Sequence, residues 1–96
     1  MAGVAPPAAG LTPILIIKRT AERDMRQLPP SVFWRVNQHI ISLRFELRPP
    51  GVRKLQGAET GWRLRVGDYR IIYQIDDSAR SITIVRIRHR RDVYRP

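Results

Sequence analysis

The chain has 96 residues, and 18 lysines and arginines against 8 acidic residues give it a formal charge of +10. A chain of this length builds one core that buries roughly 60% of its unfolded surface, which excludes a second domain and a deep cleft between domains. It has no cysteine, which excludes disulfides, cysteine-based zinc sites and thiol catalysis. With only two histidines as well, we expect no metal and no cofactor.

The longest apolar run covers residues 13–17, far short of the roughly 20 residues that a membrane span needs. The first ten residues carry no basic segment, so no signal peptide is indicated. We therefore expect a cytoplasmic protein with no membrane partner.

The positive charge is almost entirely arginine, with 16 arginines and 2 lysines. A guanidinium group stays ionised, binds phosphate through two donors and stacks on bases. The arginines alternate with Ile, Val, Leu and aromatic residues as in a folded sheet, not as in a charged tail. The composition therefore predicts a folded basic surface with an anionic partner.

The first ten residues are uncharged and rich in Ala, Pro and Gly. This composition predicts a disordered arm over residues 1–10, followed by a single domain over residues 11–96. The run from Leu11 to Lys18 is rich in β-branched residues and predicts a first strand with Pro13 near its start.

Two helices are predicted next. Thr20 is a suitable N-cap for a short helix that Pro29-Pro30 ends, and its apolar positions are Ala21, Met25 and Leu28. Ser31 is a suitable cap for a longer helix that Pro49-Pro50-Gly51 ends, with an apolar stripe at Phe33, Val36, Ile40, Leu43 and Leu47. The two helices should form an antiparallel hairpin on one face of a sheet.

After Gly61 the hydrophobic period changes from 3.6 to 2. The segments 62–66 and 69–75 are predicted to form a tight hairpin whose two-residue loop has Gly67 at its first central position. Asp76-Asp77-Ser78 leads to a last strand, Ser81 to Arg88, and a charged tail. The predicted class is α+β: a β-α-α-β-β-β order, a mostly antiparallel sheet, a helical hairpin on one face and a short C-terminal helical tail.

The hairpin register places Arg65 opposite Arg70 and Arg63 opposite Ile72. Like charges that face each other across two strands are destabilising. Either the two side chains splay into water or an anion is held between them. Arg86 and Arg88 are predicted to share one face of the last strand, and Lys54 is placed in the loop before the hairpin.

Four aromatic residues are predicted to lie in the core or at its edge: Phe33, Trp34, Trp62 and Tyr73. His39 is predicted to be a surface residue. His89 lies between Arg88 and Arg90, and structural and functional roles both stay open for it.

Cleavage of RNA requires a base for the 2′-hydroxyl, stabilisation of the phosphate charge and an acid for the leaving oxygen. Arginine can stabilise the charge but does not lose its proton in proteins. Proton transfer would then depend on Tyr94, His89 or Lys54. Pattern and composition alone predict binding to nucleic acid or to an acidic protein.

Three segments resemble the RelE/ParE superfamily of toxins from type II toxin–antitoxin modules, and the RelE branch most closely. They are KLQG at 54–57, WRLRVGDYRIIYQI at 62–75 and RHRRDVY at 88–94. The resemblance implies a small RelE-like fold and a ribosome-dependent, metal-independent endoribonuclease, an mRNA interferase that cuts mRNA in the A site and inhibits translation. It also implies a cognate acidic antitoxin as partner, with operator DNA bound only through the antitoxin complex.

Carried over by position, the catalytic roles implied by the resemblance fall on Arg63, Arg65, Arg70, Arg88 and Tyr94. The residues expected to contact RNA are Lys54, Arg86, His89 and Arg90. Well-studied RelE-type enzymes carry lysines where this chain has Arg63 and Arg65. Some relatives use a glutamate together with a histidine instead; His89 is present in this chain, but Glu59 has no clear match to the position of that glutamate. The alternative is a ParE-like toxin that inhibits DNA gyrase by binding rather than by catalysis.

Overall fold

The computed structural model describes residues 12–55 and 61–93. The elements in chain order are β1 (Ile14–Ile17), α1 (Arg19–Arg26), α2 (Pro30–Leu43), β2 (Arg53–Lys54), β3 (Gly61–Val66), β4 (Tyr69–Asp76), β5 (Ser81–His89) and α3 (Arg90–Val93). The predicted arm over residues 1–10 and the candidate residue Tyr94 lie outside the described residues.

The described strands form one five-stranded sheet in the order β1-β5-β4-β3-β2. β1 runs parallel to β5, and the other neighbours are antiparallel. The predicted α+β class with a mostly antiparallel sheet is therefore confirmed, as is the short helical tail. The prediction of four strands is wrong, because Arg53 and Lys54 form an additional edge strand rather than a loop. A two-residue strand is too short to show the alternation by which strands are predicted.

Both predicted helix caps are wrong. α1 begins two residues earlier, at Arg19, with Lys18 in place of Thr20 as the N-cap and the Lys18 carbonyl accepting the first helical hydrogen bond from Glu22 at 2.9 Å. α2 begins at Pro30, whose fixed φ suits the first helical position and whose missing N–H would have had no helical partner. Thr20 and Ser31 therefore lie inside the helices, and the observed N-cap residues, Lys18 and Pro29, make no side-chain capping hydrogen bond.

α2 also ends earlier than predicted: its last residue is Leu43, whereas the predicted helix included Leu47 and was ended by Pro49-Pro50-Gly51. Beyond Leu43 the N–H groups of Arg44 and Phe45 bond to carbonyls three residues back, at 3.1 and 3.0 Å, which tightens the last turn. The Leu47 carbonyl instead accepts a 2.9 Å hydrogen bond from the hydroxyl of Tyr73 on β4. Leu47 is thus attached to the sheet, against whose core it packs.

Both helices pack on one face of the sheet, as predicted. The buried core residues of the helices are Ala21, Met25, Val36, Ile40 and Leu43, and those of the strands are Leu64, Val66, Ile71, Tyr73, Ile75, Ile82, Ile84 and Ile87. Burial raises the pKa of the Tyr73 hydroxyl to about 12, and the nearby Arg48 partly opposes this shift. The sheet's other face carries neither α1 nor α2, and its residues Arg65, Gln74 and Asp76 are exposed.

The prediction for the aromatic residues is confirmed except for Trp34, which is 62% exposed. Trp34 lies on the side of α2 opposite to Val36, Ile40 and Leu43, so its position follows from the helical period. Trp62 is half-buried beneath the guanidinium of Arg48, which lies 5.1 Å from its ring centroid. Among the described residues no helix is long and apolar enough to span a membrane.

Candidate nucleic-acid interface

A row of three arginines crosses the helix-free face of the sheet. On β3, Arg63 and Arg65 alternate with the buried Leu64 and Val66, so they lie on the face away from the helices. The predicted pairing of Arg65 with Arg70 is confirmed. Arg70 in turn pairs with Arg88 on β5. Arg65, Arg70 and Arg88 therefore stand side by side on three neighbouring strands.

A second row lies two residues further along the strands. Arg53 on β2 pairs with Arg63, Arg63 pairs with Ile72, and Ile72 pairs with Arg86 on β5. The two rows are about 7 Å apart, because a strand rises about 3.3 Å per residue. We call the combined surface the arginine face; its members are Arg53, Arg63, Arg65, Arg70, Arg86 and Arg88.

A β-bulge in β5 brings Arg86 and Arg88 to this face. Ile84 pairs with Tyr73, whereas Arg86 pairs with Ile72, the residue before Tyr73, so Val85 is the extra residue. Since side chains alternate with a period of two, an unbulged strand would direct Arg86 and Arg88 to the buried side with Ile84. The adjacent apolar residues Ile84 and Val85, followed by a shifted alternation, were the sequence signal for this bulge.

Helix α1 supports β5 beyond the point where β1 ends. The Thr20 hydroxyl donates a 2.7 Å hydrogen bond to the Val85 carbonyl, and the Asp24 carboxylate accepts a 2.9 Å bond from the Ile87 N–H. Asp24 also holds the Arg86 guanidinium through two bonds of 2.8 and 3.3 Å. Side chains of a helix thus replace a neighbouring strand at the edge of β5 and fix the bulged segment.

Arg53 is the member of the arginine face that sequence reasoning missed. The chain reaches it through a turn in which the Val52 N–H donates to the Pro49 carbonyl at 3.1 Å, and Gly51 has φ of 87°, a conformation that favours glycine. Pairing with Arg63 then sets the face on which Arg53 lies. The only available signal was the basic pair itself after a proline-rich turn.

The arginine face is electrostatically unbalanced. Within the part of the chain that the structure describes, no carboxylate lies within 4.0 Å of a guanidinium nitrogen of Arg53, Arg63, Arg65 or Arg70. The Nε of Arg65 donates to the Gly67 carbonyl of its own hairpin turn at 3.2 Å. A recess of about 230 Å³ is lined by Gly51, Arg53, Arg63, Arg65 and Arg70. Such a recess is suited to an anion with several acceptor oxygens.

The structure does not bring every predicted RNA contact to this face. Lys54 pairs with Trp62, and His89 pairs with Tyr69, so the register places both on the helix-bearing face. Arg90 begins α3, where its N–H donates to the Asp68 carbonyl at 2.6 Å and its guanidinium lies 3.8 Å from the Asp68 carboxylate. Lys54 and His89 lie on the other face because side chains alternate between the two faces along a strand. Arg90 lies outside the sheet because β5 ends at His89.

His89 nevertheless has a defined hydrogen-bonding state. Its Nδ1 accepts the N–H of Arg91 at 3.2 Å, so the neutral ring carries its proton on Nε2. Its ring packs edge-to-face on Tyr69, with 4.9 Å between the centroids. A recess of about 280 Å³ beside this pair is also lined by Arg86 and Arg88, so His89 borders the arginine face without belonging to it.

The sequence and the fold both match known toxins. The family model described as the ParE toxin of the type II toxin–antitoxin system parDE matches residues 15–94. The toxin RelG of Mycobacterium tuberculosis is 38% identical over 80 residues, which cover 79% of this chain and 88% of RelG.

Two solved structures have closely similar folds. The RelE–RelB complex of Pyrococcus horikoshii matches with a TM-score of 0.74 and 27% identity, covering 82% of this chain and 96% of the matched chain. The RelBE2 toxin–antitoxin complex of Mycobacterium tuberculosis matches with a TM-score of 0.71 and 29% identity, covering 82% and 99%. The family match covers most of the chain, and it agrees with the resemblance seen in the sequence. The chain therefore belongs to the ParE toxin family, within the RelE/ParE superfamily of toxins of type II toxin–antitoxin systems.

Proposed function

We propose that this toxin is a ribosome-dependent endoribonuclease that holds an mRNA phosphate on its arginine face and cuts the strand there. The observation that carries the proposal is the row of Arg65, Arg70 and Arg88 across three neighbouring strands. Three fixed cations at one place stabilise the negative charge that a phosphate gains as it becomes pentacovalent. RelE-type relatives with the same fold support this reading over simple nucleic-acid binding.

In the proposed reaction the ribose 2′-oxygen loses its proton and attacks phosphorus, and the 5′-oxygen takes up a proton as its bond to phosphorus breaks. The arginines stabilise the phosphate but remain protonated throughout. Proton transfer is assigned to Tyr94, on the family resemblance, with His89, which lines a recess together with Arg88, as the second candidate. The proton taken from the 2′-hydroxyl is balanced by the one delivered to the 5′-oxygen. This division of roles leaves charge stabilisation and proton transfer on different residues.

A cognate antitoxin is the proposed inhibitor. The matched structures from Pyrococcus horikoshii and Mycobacterium tuberculosis are toxin–antitoxin complexes. An acidic segment of such a partner would neutralise a chain of charge +10 and compete with RNA for the arginine face. Operator DNA would then be bound through the antitoxin in the complex, and the toxin would act in the cytoplasm.

The test is cleavage of mRNA on programmed ribosomes, with mapping of the new 5′ ends. The wild-type chain should cut within the codon in the A site, and Arg70→Gln should slow cleavage by roughly 100-fold, the usual cost of losing one charge-stabilising donor. Arg26→Gln on the exposed end of α1 is the matched control and should cut at the wild-type rate. Intact mRNA with the wild-type chain would reject the proposal.

Inhibition of DNA gyrase is the second candidate, because the matching family model is that of the ParE toxins. A gyrase inhibitor would block supercoiling in a purified assay and leave ribosome-bound mRNA intact. Tyr94→Phe distinguishes the two: it should abolish most cleavage by a ribonuclease and leave gyrase inhibition unchanged.

A further inference from the structure

We propose that Arg53 and Arg63 form a second phosphate site, so that the arginine face holds two consecutive phosphates of one RNA strand. The proposal rests on the proposed function for the identity of the ligand as RNA. The first site is the row of Arg65, Arg70 and Arg88. The second is assigned to Arg53 and Arg63 because they face each other across β2 and β3.

The spacing of the rows fits this ligand. Equivalent positions in the two rows are two residues apart on each strand, or about 7 Å. One sugar–phosphate repeat contains six backbone bonds and covers a similar distance. The 230 Å³ recess is lined by Arg53 and Arg63 from one row and by Arg65 and Arg70 from the other. An RNA strand lying in this recess would therefore place two consecutive phosphates at the two sites.

In the second row, which runs from Arg53 to Arg86, the proposed phosphate site lies at the end formed by β2 and β3. At the other end, Arg86 is held by the Asp24 carboxylate through bonds of 2.8 and 3.3 Å, which partly neutralises its charge. Arg53 and Arg63 have no such carboxylate among the described residues. Arg53 and Arg63 also line a recess of about 490 Å³, together with Val52, Lys54 and Leu55.

The residues of the arginine face predict contact with the sugar–phosphate backbone of the RNA, not with its bases. By register, the only residue between Arg63 and Arg86 in the second row is Ile72, and no described aromatic residue shares either row. The opposite end of the same sheet face carries the uncharged pair Gln74–Thr83 and the pair Asp76–Ser81. Phosphate contacts position a strand without reading its sequence, so affinity at the second site should not depend on the base.

The experiment measures binding of 2′-O-methyl oligonucleotides, which lack the attacking hydroxyl, to the free toxin. A dinucleotide offers one phosphate and a trinucleotide offers two. The second phosphate should tighten wild-type binding roughly five- to tenfold, as expected for a charge-assisted contact that is partly exposed. Arg53→Gln should remove this gain, leave the dinucleotide Kd within about twofold, and lower the salt slope for the trinucleotide by roughly 0.7.

Arg26→Gln is the matched control, since it removes one arginine charge in the same way at an exposed residue of α1 that lines neither recess beside Arg53 and Arg63. It should leave both Kd values unchanged, and both variants should be fully folded at the assay temperature by circular dichroism. The proposal is overturned if Arg53→Gln weakens both ligands by the same factor, or if Arg26→Gln reproduces its effect. The 2′-O-methyl ligands cannot be cut, so this binding test does not depend on catalysis. If the wild-type toxin failed to cut mRNA on ribosomes but Arg53→Gln still removed the gain in trinucleotide affinity, only the proposed ribonuclease function would be rejected.

Discussion

Arg65 on β3 and Arg70 on β4 are direct cross-strand partners, one pair before the turn formed by Gly67 and Asp68. Their charges repel, and the hydrogen bond from Arg65 Nε to the Gly67 carbonyl at 3.2 Å draws one guanidinium toward the turn. Like charges directly opposite each other cost about 0.2–1 kcal/mol of sheet stability. The free chain retains this repulsion at the position where an anionic ligand would remove it.

Replacement of Arg70 by Gln should therefore stabilise the free chain by about 0.2–1 kcal/mol at low salt. The gain should shrink as salt rises, since screening weakens the repulsion in the wild type. Urea unfolding at two ionic strengths measures it. Arg26→Gln is the control for lower net charge, and it should also lose about 0.3–1 kcal/mol because Arg26 lies in the last turn of α1. An Arg70→Gln chain no more stable than the wild type at low salt would contradict the prediction.

Loss of the Asp24 carboxylate should destabilise the chain, because it leaves the Arg86 guanidinium and the Ile87 N–H without this acceptor. We expect a cost of about 2 to 3 kcal/mol for Asp24→Ala and about 1 kcal/mol for Thr20→Val, which loses the bond to the Val85 carbonyl. Chemical denaturation measures both. Glu22→Ala, an exposed change on the same helix, should stay within about 0.5 kcal/mol; an equal loss there would argue against the anchoring role.

Substitution of Gly67 tests the turn that sets the hairpin register. Its φ of 61° strains residues with a Cβ, although the nearest side-chain atoms, in the Arg35 guanidinium, lie at an ordinary 3.5 Å from the position of an added Cβ. Gly67→Ala should thus cost about 1 to 2 kcal/mol through the backbone alone, and Gly67→Asn should cost less because Asn tolerates this conformation. Equal melting temperatures for the two variants would show that φ is not the cause.

Alkaline pH should weaken the fold through Tyr73. Burial raises its pKa from 10.0 to about 12, so between these values the unfolded chain loses the phenolic proton while the folded chain keeps it. This contribution is complete below pH 10 and is lost as pH rises toward 12, by roughly 2 to 3 kcal/mol in total. Unfolding free energies from pH 9 to 12 should fall more steeply for the wild type than for Tyr73→Phe. Parallel curves would contradict the shift.

Several features of the site followed from local sequence. The two-residue turn at Gly67 and the alternation of Arg63 and Arg65 with apolar residues were sufficient to place Arg65 opposite Arg70 before the structure was known. Turn length sets the register of a hairpin, and the strand period sets the face. The segments at 62–75 and 88–94 were likewise specific enough to indicate the toxin family.

Other features depended on partners distant in sequence. Arg53 joined the arginine face because β2 pairs with β3, and Lys54 left it because it follows Arg53 by one residue. The faces of Arg88 and His89 were set by the bulge at Val85, which α1 fixes through Thr20 and Asp24.

The +10 charge and the arginine-rich alternation by themselves determined that this protein has a folded basic surface. Only the tertiary structure decided which arginines share that surface and in what spacing. The physical reason is that strand pairing and a single extra residue in β5 control the face of every side chain beyond them, and both depend on contacts between distant segments. The helix α1 and the short strand β2 thus complete the two arginine rows.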